Sequence, residues 1–398
     1  MLFEFHILQN HAPANLNRDD VGAPKSCFFG GAQRARISSQ CLKRSIRKSE
    51  TFERALKAAS VPLGTRTRNL PVLVAERVEQ ALLSEGVEAT LASGLAKVAE
   101  RKATGFGNKD GKENEDAETA QTMFLTSSDV NAVAQVLTEK ALEKVQEDAD
   151  KAVKEFSKVK AKELQNDKSL SEWRPITVDV ALFGRMITSP AFQDTEASMQ
   201  VAHALSTHRV EMEFDYFTAV DDLPGPEDAG ADMIGEIEFN SACFYKYFSL
   251  HLDGLLDNLT GDSGDRESAL EIAQAVVPAF LEAAVVSTPS GKQNTFAAHN
   301  LPSAVLVEVR PHPQPVSYAN AFADPVDTRK DGLIKGSVNA LREHVEKTDK
   351  VFSPPTVARF WLSLDGEAPP KGVTNLDNLK ALKAEIARMV KSGEPAHA

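Results

Sequence analysis

The hydrophobic pattern of the chain changes twice along its length, and this change limits the folds that it can adopt. Residues 2–11 alternate in part between apolar and polar side chains, which is typical of a β-strand. From Leu70 to Lys168 the apolar residues instead recur at spacings of three and four, with one long charged tract over 128–168, which is typical of helices. Strand-like segments return at 175–189, 210–223, 234–252 and 304–310. We therefore predict an α+β fold in which a helical insertion, 70–168, interrupts a strand-forming core.

Turn residues subdivide these segments and predict individual elements. The Gly30–Gly31 pair interrupts a strand at 27–37, and a helix with Ser38 or Ser39 as its N-cap follows over 38–59. The Pro/Gly-rich segment 224–232 separates two strand-like segments, which predicts a projecting β-hairpin. We also expect a short helical piece at 198–206, a helix at 267–287, a loop at 288–300 and an amphipathic helix at 376–391.

Composition points to a folded protein without a membrane segment. A chain of 398 residues with 42% hydrophobic content is able to bury a substantial core. We find no run of about 18 apolar residues and no signal-peptide pattern at the start, so the expected location is cytoplasmic. Cys27, Cys41 and Cys243 are odd in number and form no CxxC motif. We expect free thiols rather than disulfides or a thiolate zinc site.

One strongly basic segment stands out in this acidic chain. Residues 30–49 carry six Lys or Arg and no Asp or Glu, although the formal net charge is -12. A helical wheel places Leu42 and Ile46 on one face and Gln40, Lys43, Arg44 and Arg47 on the other. The free N–H groups and positive dipole at the start of this helix are a second device for holding phosphate. Arg34 and Arg36 on the preceding strand add charge to the same locality.

Two interpretations of this segment compete. Most charged runs are solvated faces, and the helical tract after Ser128, which mixes both signs, fits that interpretation. The absence of compensating acids over 30–49 instead favours binding to a phosphate backbone. Nothing in these side chains indicates base-specific recognition.

No motif for catalysis or metal binding is complete. The nine histidines include no HExxH pair, and "TPSGKQNT" lacks most of a Walker loop. Asp19–Asp20 and Asp221–Asp222 are carboxylate pairs of the kind that holds a divalent metal for phosphodiester cleavage, but neither has a third ligand at recognisable spacing. We therefore expect no metal or other cofactor. A metal-dependent ribonuclease that uses Asp19 or Asp20 is the alternative function.

Several motifs in order along the chain resemble one known family. They are "LNRDD", "FGGAQRARISSQCLKRSIRKS", "VDVALFGRM", "HALSTH", "DYFTAVDDL" and "GKQNTFAAHN". Together they are similar to CasC, the backbone subunit of the type I-E CRISPR surveillance complex Cascade. The likeness runs from near the N-terminus to about residue 325 and is weakest in the charged insertion and the C-terminal tail.

The resemblance implies a more detailed fold and domain organisation. It implies a modified RRM, ferredoxin-like palm, a helical finger-like insertion and a projecting β-hairpin thumb. The corresponding segments are 1–69 for the first part of the palm, 70–168 for the fingers, 169–204 for more of the palm, 205–240 for the thumb, and 241–398 for the remaining palm and C-terminal helices.

The resemblance also implies a function. About six copies polymerise along the spacer of one guide RNA, kink it at regular intervals and present it to target DNA in antiviral defence. The implied partners are the CRISPR guide RNA, the target DNA strand, other copies of the chain, and the large, small, guide 5′-end-capping and guide-processing subunits. A recruited helicase-nuclease, not this subunit, cuts DNA. No membrane partner is implied.

Site residues follow position by position from the matched motifs. Those that face the RNA backbone are Arg18, Lys25, Ser38, Gln40, Lys43, Arg44 and Arg47. Met186 matches a methionine that packs beside a displaced nucleotide, and Phe217, Thr218 and Val220 match the thumb. Lys292 is a looser candidate for RNA binding. Without the motif context, Met186 and Phe217 would be read as ordinary core residues.

Two further possibilities remain open. Lysines of the insertion contact target DNA in relatives, although interspersed acids favour a salt-bridged, solvated helix here; they are Lys151, Lys154, Lys158, Lys160 and Lys162. A general single-strand binder without a defined assembly is a third, weaker function.

Overall fold

We analysed a computed structural model, which describes residues 1–219 and 233–392. The chain divides into two compact units. The first contains Met1–Ala59, Met199–Asp253 and Leu270–Ala398, and the second contains Ser60–Ser198 and Gly254–Ala269. The predicted insertion, 70–168, lies within the second unit.

The described residues form twelve strands. They are β1 (Leu2–Ala14), β2 (Ser26–Phe29), β3 (Ala32–Ile37), β4 (Thr65–Thr67), β5 (Met123–Leu125), β6 (Met199–Val201), β7 (Ala204–Ser206), β8 (Glu213–Ala219), β9 (Met233–His251), β10 (Ala304–Arg310), β11 (Ala358–Ser363) and β12 (Thr374–Asn375).

Fourteen α-helices occur in the same residues. They are α1 (Ser39–Arg47), α2 (Glu50–Ala58), α3 (Leu70–Ser84), α4 (Ala89–Gly105), α5 (Ser127–Glu147), α6 (Ala152–Lys158), α7 (Ala161–Gln165), α8 (Val178–Phe183), α9 (Leu252–Thr260), α10 (Arg266–Val286), α11 (Gln293–Phe296), α12 (Thr328–Asp331), α13 (Leu333–Phe352) and α14 (Leu379–Ser392). The mixed α+β class predicted from the sequence is confirmed.

The first unit is built on one large sheet. Its strand order is β12-β11-β10-β1-β9-β7-β3-β2, and β6 and β8 also pair with β9. All pairs are antiparallel except β11 with β12. Strand β1 lies between β10 and β9, and nearly all of its residues are buried, because both faces of the sheet are covered.

One face of this sheet packs against α10. The ring of Phe280 on that helix lies 5.7 Å from Phe5 of β1 and 5.4 Å from Phe248 of β9. Although no membrane-length apolar run was expected, α10 is long and apolar enough to cross a membrane by length and composition. Most of its apolar window is buried within the protein, as in a core helix.

The other face of the sheet holds a buried network of charged and aromatic side chains. Arg310 donates to Glu4 and, at 2.7 Å, to Glu308, while Arg359 lies 2.6 Å from Glu308. Tyr318 also donates to Glu308 at 2.9 Å. Since buried charges are costly unless they are paired, each of these groups depends on the others.

Two glycines form the tight turn between β2 and β3. Gly30 and Gly31 both have positive φ angles, 58° and 73°, which glycine adopts without steric cost. The predicted strand interrupted by a Gly pair is therefore a β-hairpin with a two-residue turn.

The predicted projecting hairpin is a two-stranded ribbon formed by β8 and the first part of β9. Its pairs run from Glu213 with Phe239 to Ala219 with Met233, and every residue of β8 is exposed. The predicted turn, 224–232, lies outside the described residues.

The second unit is mainly helical. Its core contains apolar side chains from α3 to α6, including Val74, Leu95, Val133 and Phe156. A short β4–β5 pair completes it. The predicted helical character of 70–168 is confirmed, but the long tract expected over 128–168 is three separate helices, α5 to α7.

Four other predicted elements differ in the structure. The loop expected at 288–300 contains a short helix, α11. The helix expected over 38–59 is two helices, because Ser49 accepts from the N–H of Phe52 and caps a new helix. The strand expected within 175–189 is wrong: Val178–Phe183 is helical. The helical piece expected at 198–206 is also wrong, since β6 and β7 there pair with β9.

A lysine is buried on the α10 side of the sheet. Lys246 of β9 is only 1% exposed, and its ammonium group donates to the side chain of Gln9 on β1. Burial lowers the pKa of Lys246 to about 8. The folded protein therefore binds the Lys246 proton less readily than the unfolded chain does.

This burial predicts a pH dependence of stability. Between pH 8 and the ordinary lysine pKa the unfolded chain holds more protons at this site, so stability rises with pH there. We compare the free energies of unfolding of the parent and of Lys246→Met. The parent value minus the variant value should increase by roughly 3 kcal/mol across this pH range, at about 1.4 kcal/mol per pKa unit. Urea unfolding at pH 7 to 10 measures it. Lys347→Met, at an exposed lysine of α13, is the matched control for the loss of a lysine.

The ribbon contains one close contact that fixes an aromatic ring. Gly235 pairs with Phe217, and a Cβ atom at Gly235 would lie 2.2 Å from the Phe217 Cζ atom. The Phe217 ring therefore lies directly over the glycine backbone.

We predict that Gly235→Ala displaces the Phe217 ring, because the added methyl group occupies its place. The stability loss should be under about 1 kcal/mol, since an exposed ring has room to move. A structure of the variant checks this prediction, with Glu236→Ala as the matched control. A Phe217 ring that stays in place in Gly235→Ala contradicts it.

Candidate nucleic-acid interface

Helix α1 begins at a well-formed cap and buries one apolar stripe. The Ser38 hydroxyl accepts from the N–H of Cys41 at 3.4 Å, and the Ser38 N–H donates to Asn17 at 2.8 Å. Leu42 and Ile46 are buried, and Leu42 packs in a cluster with residues such as Ala35 and Phe244. Because the apolar stripe holds this helix on the sheet, its opposite side faces outwards.

The outward side carries only part of the predicted cationic set. Gln40 and Arg44 are exposed, and Lys43 is half-buried. Arg47, by contrast, is only 6% exposed and has a partner within the chain. The helical wheel placed Arg47 on the exposed face, and the structure corrects this, because α1 ends at Arg47 and the chain turns there into α2.

Arg34 is likewise part of the interior and not of the basic surface. Its guanidinium group donates to the carbonyls of Phe29, Ser206, Phe322 and Ala323, at 2.8 to 3.3 Å. A fully buried arginine with these partners joins chain segments and is not available to a phosphate group. The expectation that Arg34 adds surface charge is wrong.

A cluster of cations does lie at the start of α1. Burial, followed by the charges of Arg36 and Lys25, lowers the pKa of His203. The Nδ1 atom of His203 is 3.3 Å from the Ser39 N–H and 3.4 Å from Arg36. Burial raises the pKa of the Cys41 thiol, and the nearby charges of Lys25 and Arg44 oppose this shift. The helix start therefore lies in a positive potential, which favours an anion.

A second basic position lies beside the root of the ribbon. Arg18 and Lys292 line one surface recess of about 320 Å³ together with Phe214, Glu236 and Glu238. The buried side chain of Asn15 donates to the carbonyls of Gly22 and Glu238, both at 2.9 Å, and so ties the loop that carries Arg18 to β9. The structure thus brings together two residues that are 274 positions apart in the sequence.

Gly291 explains how Lys292 reaches this recess. A Cβ atom at Gly291 would lie 2.5 Å from the carbonyl oxygen of Leu16 and 2.6 Å from that of Asn15. Only glycine allows the two loops to approach this closely. The looser candidate Lys292 is therefore a neighbour of Arg18.

The ribbon presents apolar side chains to solvent. Phe217 and Thr218 lie on β8, whereas Val220 lies outside the described residues. Phe214, Tyr216 and Ile234 are also largely exposed, and the pairing places them together on the opposite face from Phe217. The sequence reasoning missed these three. For two of them the signal that was available is the alternation of Phe214 and Tyr216 with Glu213 and Asp215, which is typical of a strand with one apolar and one polar face.

Met186 lies in the second unit and is 89% exposed. Such exposure is unusual for methionine, so the core interpretation of this residue does not apply.

The five lysines of the insertion are also exposed. Lys151 pairs with Asp148, and Lys158 pairs with Glu155. These ion pairs fit the solvated interpretation, and a contact with target DNA stays a prediction.

One carboxylate of the alternative ribonuclease site, that of Asp19, lies in a turn. Asp19 accepts from the N–H groups of Val21 and Ala23 at 3.0 and 2.9 Å, as expected for a turn-forming aspartate. Among the described residues the one group with metal-ligand geometry is Glu4, His6 and Glu308, which includes neither Asp19 nor Asp20. That group is buried, and both of its carboxylates are paired with Arg310.

Comparison with known proteins identifies the family. A family model described as CT1975-like protein matches residues 3–388. A chain of a "CRISPR RNA-guided surveillance complex, pre-nicking" is 26% identical, with a TM-score of 0.76 over 98% of this chain and 100% of that one. A chain of a second "CRISPR RNA-guided surveillance complex" is 22% identical, with a TM-score of 0.66 and the same coverage, and shows the fold alone. No curated protein matches. The chain therefore belongs to the CT1975-like family, the CasC family of type I-E CRISPR systems.

Proposed function

We propose that the protein is a non-catalytic backbone subunit of a type I-E Cascade complex, which polymerises along the spacer of the CRISPR guide RNA, kinks it at regular intervals and presents it for pairing with target DNA. The observation that carries this proposal is the cluster of Lys25, Arg36 and Arg44, whose charges act on Cys41 and His203 beside α1. These side chains form a compact cationic site within a chain of net charge -12. Local concentration of charge, and not net charge, attracts a phosphate backbone.

The surface has the chemistry that a guide-holding protein needs. A subunit that accepts any spacer must bind phosphates and sugars, leave base edges free and use apolar contacts that do not read sequence. Lys25 and Arg44 supply charge, whereas Phe217 and Met186 supply exposed apolar surface. Arg18 and Lys292 add two cations at the root of the ribbon, in a recess that Glu236 and Glu238 also line.

The architecture supports the assignment of palm and thumb. Strands β10-β1-β9-β7 follow the order fourth, first, third, second of a βαββαβ unit, with α1 and α10 as its two helices. We assign this sheet to an RRM-like palm, the β8–β9 ribbon to the thumb and the helical insertion 70–168 to the fingers. The predicted segment boundaries and the cytoplasmic location stay predictions.

The partners follow from this assignment. They are the guide RNA, the paired target strand, other copies of the chain along the guide, and the large, small, capping and processing subunits. Cleavage of DNA is left to a recruited helicase-nuclease. The turn-forming hydrogen bonds of Asp19 favour this non-catalytic role over the ribonuclease alternative.

We predict that Lys43→Ala and Arg44→Ala each weaken RNA binding for every guide sequence, because they remove phosphate contacts. Each should cost about 3- to 10-fold in affinity and reduce the slope of log K against log salt by about 0.7. Filter binding at several salt concentrations measures both quantities. Lys347→Ala is the matched control and should behave as the parent. Parental affinity and slope in the α1 variants would show that RNA binds elsewhere.

A fixed assembly is the second prediction. Native mass measurement of the protein with one guide RNA should give a single copy number, because the guide length limits the filament. Copy numbers that increase steadily with added protein would instead indicate open-ended coating of single strands.

Incubation of the assembled protein and guide with complementary RNA and magnesium should give no regular cuts. Regular cuts that are lost in Asp20→Ala would establish the ribonuclease.

A further inference from the structure

The turn that carries Met186 is held more firmly than its exposed position suggests. Its neighbours Arg185 and Ile187 are both buried, so Met186 is the one exposed side chain between two anchored ones. Arg185 exchanges two backbone hydrogen bonds with Thr195, at 2.8 and 2.9 Å. The Ile187 N–H donates to the Asp194 carboxylate at 2.7 Å. The backbone on each side of Met186 is therefore fixed.

The Arg185 side chain anchors this turn to the helical insertion. Its guanidinium group lies 2.5 Å from Asp129, near the start of α5, and both side chains are 2% exposed. It also donates to the carbonyl of Gln193 at 3.0 Å. A buried, charge-assisted contact of this kind is short and directional, so it transmits the position of α5 to the Met186 turn.

Asp129 is itself held in place by several partners. Its carboxylate accepts from the N–H and hydroxyl of Thr126, at 2.9 and 2.8 Å, in the capping box of α5. Arg174 lies 3.5 Å away and donates to the carbonyls of Leu170 and Ala191. Because every contact of the carboxylate is with a fixed group, Asp129 has one orientation.

We propose that Asp129, Arg185 and Asp194 are positioning residues that hold Met186 where it packs against a displaced guide nucleotide. This inference rests on the proposed function and gives the helical insertion a defined part in it. Methionine has three rotatable bonds and is a poor wedge unless its backbone is fixed. The buried Asp129–Arg185 pair fixes one side of the turn, and Asp194 fixes the other.

Exposed Asp194 offers the mildest test. The full-length protein is bound to guide RNAs that carry 2-aminopurine at successive spacer positions, since this base becomes brighter when it is unstacked. In the parent we expect bright positions at regular intervals. Asp194→Ala and Asp129→Asn should reduce the bright emission by about two-fold or more, towards the level of Met186→Ala. Asp194→Asn keeps an acceptor for the Ile187 N–H and should restore the parental emission.

A double variant separates positioning from general loosening. Because Asp194 is proposed to act through Met186, Asp194→Ala added to Met186→Ala should cause no further loss. Thermal unfolding checks that each variant is folded. If Asp129→Asn does not fold, the comparison is made with Asp194→Ala alone.

The outcomes distinguish the two proposals. Parental emission in Asp194→Ala and Asp129→Asn, with emission lost in Met186→Ala, would overturn the positioning role and leave the proposed function standing. A further loss in the double variant would also overturn it. Uniform emission along the parental guide would contradict the proposed function itself, and unchanged emission in Met186→Ala would remove Met186 from both proposals.

Discussion

Strand β9 is the element on which the first unit depends, because it pairs with β1, β6, β7 and β8. Its residues from Asn240 to His251 pair with β1 in the core, and those from Met233 to Phe239 pair with β8 in the ribbon. The strand runs through both parts without a break over 19 residues. An isolated two-stranded ribbon is marginally stable in water, but here one of its strands is an extension of a buried strand. The direction of the ribbon is therefore set by the sheet.

Burial decides which basic residues serve the fold and which serve the surface. Arg34, Arg185 and Arg310 are buried and bound to carbonyls or carboxylates, so each joins segments that are distant in sequence. Lys25, which is partly exposed, and Arg44, which is exposed in the last turn of α1, keep their charge near solvent. Because desolvating a cation without a partner costs several kcal/mol, on the order of the whole stability margin, each buried arginine has to be fully paired.

Most periodic segments were predicted with the correct type, although 38–59 and 128–168 each divide into more than one helix, and two short segments were assigned the wrong type. The strand at 2–11, the ribbon strands and the helix at 267–287 all follow a clear pattern and are present. Val178–Phe183 is a run of apolar residues too short for its period to distinguish helix from strand. Met199–Val201 and Ala204–Ser206 are strands because β9 supplies hydrogen-bonding partners, which no local pattern records.

The sequence by itself determined the α+β class, the helical insertion, the basic helix and, through its motifs, the family. The periodicity of apolar residues and the local charge depend on residues that are neighbours in the sequence, so both can be recognised without a structure. Only the tertiary structure decided that Arg47 is buried, that Arg18 and Lys292 share a recess, and that Asp129 reaches Arg185. These relations join residues that are far apart in the chain, and they exist because close packing gives each buried polar group a specific partner.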